Sequence, residues 1–205
     1  MRTVVKVSGI TNLSDARYCA GMGVDLLGFS LDATSPDFVS ELAFKEITAW
    51  VSGVDLVGEL GNIPASEAAN LLTRYPVNYL QTSCVNVLPS LAALDVPLIL
   101  RADFAENDQS SLRAVCEASR SYATYLLLES DHVVLTEFEL SFLKRLATKY
   151  PILLGFGFGP ANIHLLLDLL PVRGIALRGS REIKPGLKDF DQLADVLEAI
   201  ETPEP

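Results

Sequence analysis

The stretch PILLGFGFGPAN, residues 151–162, contains the pattern that decides the fold. A continuous apolar run, PILLGF, leads into closely spaced glycines and then into a helical pattern that runs from Pro160 to Leu170. A continuous rather than alternating apolar run is typical of a strand covered on both faces. Glycine permits a tight turn, and proline suits the first position of a helix. The stretch therefore predicts a strand followed by a helix, with Pro160 at the first helical position.

The same strand–helix pattern recurs along the chain. Apolar runs rich in Val, Ile and Leu predict strands at Thr3–Val7, Leu26–Phe29, Asp55–Leu60, Asn78–Gln81, Pro97–Ala102, Thr124–Glu129, Pro151–Phe156 and Gly174–Arg178. Helical patterns follow them, the first capped by Asn12 or Ser14, and the others at 41–51, 66–75, 86–94, 108–119, 137–150, 160–170 and 190–200. This alternation predicts a parallel sheet with helices outside it.

Eight strand–helix units can close into a barrel or form a large open doubly wound sheet. Each unit takes only about 25 residues, which favours the barrel. No linker or change in composition divides the chain. We therefore predict the α/β class and a single (β/α)8 TIM barrel over residues 1–200. The acidic, proline-rich residues 201–205 are predicted to be a mobile tail.

The composition narrows the classes of partner. The formal net charge of −10 would repel nucleic acid, and no apolar run reaches the roughly 18 residues of a membrane span. The first residues, MRTVVKVSGI, lead us to expect no secretion signal, and the odd count of three cysteines fits a reduced, cytoplasmic protein. Because His132 and His164 stand alone, we expect no metal site and no cofactor. The sequence is compatible with a monomer or a homodimer.

Several polar residues fall where the predicted strands end. In such barrels the reactive groups lie at the carboxyl ends of strands and in the loops that follow. Glu129 ends the buried run LLLE, where it can act as a proton donor or form a structural ion pair with Arg101. Arg101, Asp103 and Gln81 occupy comparable positions and are predicted to contact a substrate. The three cysteines, Cys19, Cys84 and Cys116, are expected to be small buried hydrophobes.

The loops after the last two strands predict a phosphate site, because these loops form the recurrent phosphate site of the fold. Small residues let backbone amides approach an anion closely. The predicted phosphate-binding residues are Gly157, Phe158, Gly159, Arg178, Gly179 and Ser180. The alternative is that the glycines only make a tight turn.

Segments at both ends of the chain resemble phosphoribosylanthranilate isomerases, barrel enzymes of tryptophan biosynthesis. KVSGITN, residues 6–12, is similar to that family's KICGITN opening, and PILLGFGFGPANI is similar to its seventh strand and SGGLNPENV loop. GIALRGSREIKPGLKD, residues 174–189, resembles its VDVSSGVE…PGxKD ending. The resemblance implies a phosphorylated small molecule as the partner. It also implies an Amadori rearrangement, an aldose-to-ketose isomerisation in which an acid opens the sugar ring and a base removes the adjacent carbon-bound proton.

The resemblance also assigns roles and shows replacements. The family's basic cysteine corresponds to Ser8, and its acidic aspartate corresponds to Glu129. An arginine that binds the anthranilate carboxylate corresponds to Asp37, a substrate-binding aspartate to Ala176, and a serine of the phosphate loop to Arg178. Two hypotheses stay open. One is an isomerase with impaired or redirected activity that has Glu129 as its acid and Ser8 at the base position, while the group that acts as the base is left open. The other is a non-catalytic paralogue that binds a phosphorylated metabolite or a protein partner.

Overall fold

The protein is a closed barrel of parallel strands with helices outside it. The computed structural model describes residues 3–61, 63–179, 182–184, 187–188 and 191–201. Strands β1 (Val4–Ser8), β2 (Leu26–Ser30), β3 (Asp55–Glu59), β4 (Tyr79–Thr82), β5 (Leu98–Asp103), β6 (Ala123–Glu129), β7 (Ile152–Leu154) and β8 (Gly174–Arg178) close in sequence order. The predicted (β/α)8 barrel is therefore confirmed.

A helix follows each strand. These are α1 (Leu13–Gly21), α2 (Glu41–Thr48), α3 (Ala65–Arg74), α4 (Leu88–Ala92), α5 (Gln109–Ser119), α6 (Glu137–Ala147), α7 (Ile163–Leu169) and α8 (Asp191–Glu201), with a 3-10 turn at Val85–Val87 before α4. Two short antiparallel strands that the sequence did not predict, β9 (Glu182–Lys184) and β10 (Leu187–Lys188), follow β8. Within the described parts of the chain, no helix is long and apolar enough to span a membrane.

Several helices and strands differ from their predicted bounds, among them α7 at its start and α8 at its end. Helix α7 begins at Ile163 rather than at Pro160, with Asn162 as its N-cap residue. The segment before it is a turn because Asn162 Oδ1 accepts the Gly159 amide proton at 2.7 Å. Helix α8 extends to Glu201, the first residue of the predicted tail, and residues 202–205 lie outside the described part of the chain.

The barrel interior is layered. Leu26, Val57, Ile99, Leu127, Leu153 and Ala176 form a buried apolar cluster, separate from the larger core between strands and helices. Because side chains alternate along a strand, residues two positions nearer the carboxyl end also face the interior. These include Glu59, Arg101, Glu129 and Arg178, which therefore lie above the apolar layer. Ala176 belongs to that layer and does not line the cavity described below.

Gly174 is required where the barrel closes. Strands β1 and β8 pair from Val4–Gly174 to Ser8–Arg178, and a Cβ atom on Gly174 would overlap the carbonyl oxygen of Val4. We expect Gly174→Ala to lower the free energy of unfolding by about 1–3 kcal/mol, as overpacking does. Urea unfolding measures this loss. Gly21→Ala is the control, because a Cβ there meets nothing within 4 Å. An equal loss in both variants would contradict the prediction.

Candidate active site

A polar cavity of about 170 Å³ lies at the carboxyl ends of the strands. Of the residues predicted from the sequence, it brings together Ser8, Gln81, Arg101, Glu129 and Arg178. Its remaining lining residues are Ser30, Ser35, Asp37, Glu59, Gly61, Thr82 and Ser83. Two larger hollows, of about 650 and 620 Å³, lie at the opposite end of the barrel and between α5 and α6. Neither contains a residue predicted to be functional, so the cavity at the strand ends is the candidate site.

A buried ion pair lies beside Ser8. The Lys6 side chain is completely buried, and its Nζ donates hydrogen bonds to Ser8 Oγ and, at 2.7 Å, to Glu59 Oε1. Lys6 and Ser8 are two positions apart on β1 and face the interior together, whereas Glu59 ends β3. Sequence reasoning did not single out Lys6 or Glu59. The available signal was a charged residue inside each of two mostly apolar runs, and Lys6 also lies two positions before Ser8, on the same face of the strand.

Gly28 makes room for this ion pair. A Cβ atom at Gly28 would overlap Glu59 Oε1 and lie 3.1 Å from Lys6 Nζ. Glycine at this position on β2 therefore allows a lysine and a glutamate side chain to meet inside the barrel.

The environment keeps Glu59 ionised. Burial opposes ionisation, but the charge and hydrogen bond of Lys6, the Ser8 hydroxyl and the charge of Arg178 together lower the pKa of Glu59 below its ordinary value. Glu59 is therefore a carboxylate at neutral pH, at the edge of the cavity and with 17% of its side chain exposed.

Arg101 and Glu129 form a second ion pair in the cavity wall. The Arg101 Nε donates to Glu129 Oε2. Burial disfavours the charged guanidinium, yet the hydrogen bond and charge of Glu129 raise the pKa of Arg101. The structural ion pair considered from the sequence is therefore present. Gly155 keeps the Glu129 side chain unobstructed, because a Cβ there would lie 2.8 Å from Glu129 Cγ.

A third ion pair crosses the mouth of the cavity. Arg178 Nη2, at the end of β8, lies 3.6 Å from Asp37 Oδ2, in the loop before α2. The Arg178 side chain is 64% exposed, so the pair is accessible to solvent. Both residues occupy positions that the resemblance marks as replaced. Together the replacements move the positive charge from the α2 side of the mouth to the β8 side.

The predicted phosphate loops are partly occupied by the chain itself. The Gly159 amide donates to Asn162 Oδ1, and the Gly179 amide donates to the Ser8 carbonyl oxygen at 3.0 Å. A Cβ on Gly157 would overlap the Leu135 side chain, so that leucine packs over this glycine. Phe158 is partly buried against the core. Of the described phosphate-binding candidates, Arg178 alone lines the cavity, and Ser180 lies outside the described residues.

Of the predicted substrate-binding residues, Gln81 lines the cavity and Asp103 does not. The Asp103 carboxylate accepts the backbone amides of Ala105, at 2.7 Å, and Glu106, at 3.3 Å. It stabilises the loop after β5 and is not among the cavity-lining residues, because the chain turns immediately after it. Gln81 is buried within the cavity, and its Oε1 has no hydrogen-bond partner among the residues that the structure describes. Gln81 is therefore the better placed of the two to meet a ligand.

The histidines and cysteines do not form a second centre. In the described part of the chain, no group of three or more His, Cys, Asp or Glu side chains could hold a metal ion. Cys19 and Cys116 are buried, as expected, and burial raises the pKa of Cys116 to about 11. The expectation was wrong for Cys84, which is exposed in the loop after β4.

Fold and cavity together define a (β/α)8 barrel with paired acidic and basic side chains at the carboxyl ends of its strands. Residues 5–199 match the family model described as N-(5'phosphoribosyl)anthranilate (PRA) isomerase. The chain belongs to this family.

Individual relatives are similar over almost the full chain. The N-(5'-phosphoribosyl)anthranilate isomerase of Gloeothece citriformis is 29% identical over 96% of this chain and 93% of its own. That of Maridesulfovibrio salexigens is 26% identical over 98% and 99%. The crystal structure of the Thermotoga maritima isomerase superposes with a TM-score of 0.80 at 19% identity, covering 97% of this chain and 98% of that one. These similarities support the family assignment and the fold.

Proposed function

We propose that the protein catalyses the Amadori isomerisation of N-(5'-phosphoribosyl)anthranilate in tryptophan biosynthesis, at a reduced rate. The observation that carries this proposal is that Ser8 and Glu129, at the family's base and acid positions, line the same cavity. The family match over residues 5–199 supports the substrate assignment.

Glu129 serves as the general acid that protonates the ring oxygen of the sugar. Arg101 binds this side chain in its charged form, so Glu129 must separate from Arg101 and take up a proton from solvent before it can protonate the ring oxygen. Ser8 is a poor replacement for a basic thiol, because a serine hydroxyl titrates far above neutral pH. The rate is therefore expected to be low even where binding is retained.

The ligand is a phosphorylated small molecule that enters by separating Arg178 from Asp37. The cavity of about 170 Å³ is smaller than the roughly 300–1,000 Å³ of typical ligand sites. Because the Arg178–Asp37 pair is solvent-accessible, an anionic group of the substrate can replace Asp37 at the guanidinium. The unpartnered Gln81 Oε1 can then accept a hydrogen bond from a sugar hydroxyl.

A non-catalytic paralogue that binds a phosphorylated metabolite or a protein partner is the second candidate. Three observations favour it. Arg101 and Arg178 are each paired with a carboxylate of the chain, and the Gly159 and Gly179 amides donate hydrogen bonds to the chain itself. The cavity is also small.

Growth of a tryptophan-requiring strain that lacks its own isomerase distinguishes the isomerase from the non-catalytic paralogue. The proposal predicts slow growth without tryptophan when this gene is expressed, and loss of growth for Glu129→Ala at equal protein levels. No growth, combined with binding of a phosphorylated sugar in calorimetry, would favour the second candidate instead.

Ser8→Cys is expected to raise kcat for the isomerisation by about tenfold or more. A thiol titrates near pH 8.5 and becomes more acidic beside a cation such as Lys6, so the variant regains a strong proton acceptor. Steady-state assays measure the gain. Ser8→Ala is the matched control and should show no gain. An unchanged or lower kcat in Ser8→Cys, with unaltered folding, would contradict the proposed role of this position.

A further inference from the structure

Resting on the proposed isomerisation, we propose that Glu59 is the general base that removes the carbon-bound proton, and that Lys6 is the positioning residue that holds it. No resemblance assigns either role. The juxtaposition of a charged carboxylate with Ser8, the position of the family's base, carries the inference.

The geometry places Glu59 where a base is needed. Lys6 Nζ donates hydrogen bonds to both Glu59 Oε1, at 2.7 Å, and Ser8 Oγ. A single nitrogen atom therefore links the Glu59 carboxylate to Ser8, which occupies the position of the family's base. Glu59 lines the same cavity as Glu129. Lys6 is fully buried, so its side chain cannot turn toward solvent. It therefore fixes the orientation of the Glu59 carboxylate.

Charge distinguishes Glu59 from Ser8 as the acceptor. Lys6 donates a hydrogen bond to Ser8 Oγ. This bond occupies a lone pair of the oxygen, so the hydroxyl is less able to accept a proton from the substrate. Ser8 could act as a base only if Lys6 were neutral and took its proton, but Lys6 forms an ion pair with Glu59. Glu59 is the anion of the cluster, and an anion is the member that can accept a proton at neutral pH.

The reaction balances with two carboxyl groups and no oxidant. Glu129 gives its proton to the ring oxygen, which opens the ring and leaves a C1=N iminium group. Glu59 takes the proton from carbon 2, the C–H electron pair forms a C1=C2 double bond, and the iminium π pair moves to nitrogen. Glu59 then returns the proton to carbon 1, while the hydroxyl proton of carbon 2 passes to Glu129 as the ketone forms.

The pH dependence of kcat in the natural protein gives a test that needs no substitution. The charged groups that face Glu59 are Lys6 from β1, Arg178 from β8 and Arg101 from β5, with Glu129 and Asp37 lining the same cavity. Because Glu59 is ionised throughout, kcat should not rise between about pH 6 and about pH 9. A Ser8–Lys6 base would instead give a rate that rises as the lysine loses its proton, and this result would overturn the proposal.

Substitution gives the second test. Glu59→Gln should lower kcat about 10²–10⁴-fold, the usual contribution of a general base. Affinity for reduced 1-(o-carboxyphenylamino)-1-deoxyribulose 5-phosphate, the ligand in a crystallised isomerase, should change less than about threefold if binding and proton transfer are separate. Glu46→Gln, at an exposed position on α2, is the matched control and should leave kcat unchanged.

The double variant Lys6→Met, Glu59→Gln guards against a folding defect, since Glu59→Gln alone leaves a buried lysine unpaired. It should fold and should show the same loss of kcat. Natural kcat in a folded Glu59→Gln or double variant overturns the role of Glu59 and leaves the isomerase function standing. Absence of isomerisation by the natural protein overturns both.

Discussion

Glu129→Gln is expected to lower kcat for the isomerisation by about 10²–10⁴-fold, the usual contribution of general acid–base catalysis. Glutamine preserves the shape of the side chain and can still accept the hydrogen bond from Arg101, but its amide has no acidic proton that it could transfer to the ring oxygen. Affinity for the reduced product analogue should change much less than kcat. Steady-state kinetics and calorimetry on the same preparation measure the two effects separately.

Glu106→Gln is the control for this experiment, because Glu106 is exposed in the loop after β5 and is not among the cavity-lining residues. It should leave kcat unchanged. If Glu129→Gln retained the natural kcat, the carboxyl group at this position would be only the structural partner of Arg101. If the affinity for the analogue fell as much as kcat, Glu129 would be a binding residue rather than the acid.

Lys6→Met is expected to lower the free energy of unfolding by about 3–5 kcal/mol, the cost of leaving one charge of a buried pair without its partner. Lys6 is completely buried and its partner Glu59 is largely enclosed, so water cannot readily replace the lost hydrogen bonds. Urea unfolding at neutral pH measures the loss. The double variant Lys6→Met, Glu59→Gln should recover most of it, because it removes both charges.

The effect of Lys6→Met should depend on pH with a definite sign. In the natural protein the pKa of Glu59 is lowered, so its contribution to stability is complete at neutral pH and is lost as pH falls below the ordinary range of a carboxyl group. In Lys6→Met the unpaired carboxylate gains by taking up a proton. The difference in stability between the two proteins should therefore shrink as pH falls through about 4. A pH-independent difference would show that Lys6 acts through packing alone.

The fold was predictable because its signals are local. The stretch PILLGFGFGPAN has its apolar run and its glycines within a few positions, and similar units recur with the spacing of a strand and a helix. The error at Pro160 arose from a tertiary detail, the hydrogen bond between Asn162 and Gly159, which holds the segment before α7 as a turn. Strands β9 and β10 have too few residues to give a periodic signal.

The site was predictable only in part. Ser8, Gln81, Arg101 and Glu129 were expected at one end of the barrel because each falls at the end of a predicted strand, and the structure places all four in one cavity. The pairing of Lys6 with Glu59 joins residues 53 positions apart, and nothing in either local sequence indicates the other. Similarly, the sequence shows glycines at the phosphate loops but cannot show that the chain itself uses the Gly179 amide.

The three ion pairs of the cavity explain how the site can retain a family architecture after several replacements. Three pairs of opposite charges lie in or beside the cavity: Lys6 with Glu59, Arg101 with Glu129 and Arg178 with Asp37. Opposite charges compensate each other within the cavity, and the solvent-facing pairs must separate for a ligand to bind. This requirement links the expected low rate to the electrostatics of the site and not only to the loss of the thiol.

Conversion of N-(5'-phosphoribosyl)anthranilate by the purified natural protein tests the central claim most directly. The measurement needs protein at a concentration high enough to detect turnover that is reduced about 10²–10⁴-fold by the loss of the family's thiol base. We expect ketose formation faster than in buffer alone, in proportion to protein concentration and lost in Glu129→Gln. Conversion at the buffer rate, by folded protein that still binds the product analogue, would contradict catalysis and identify a binding protein.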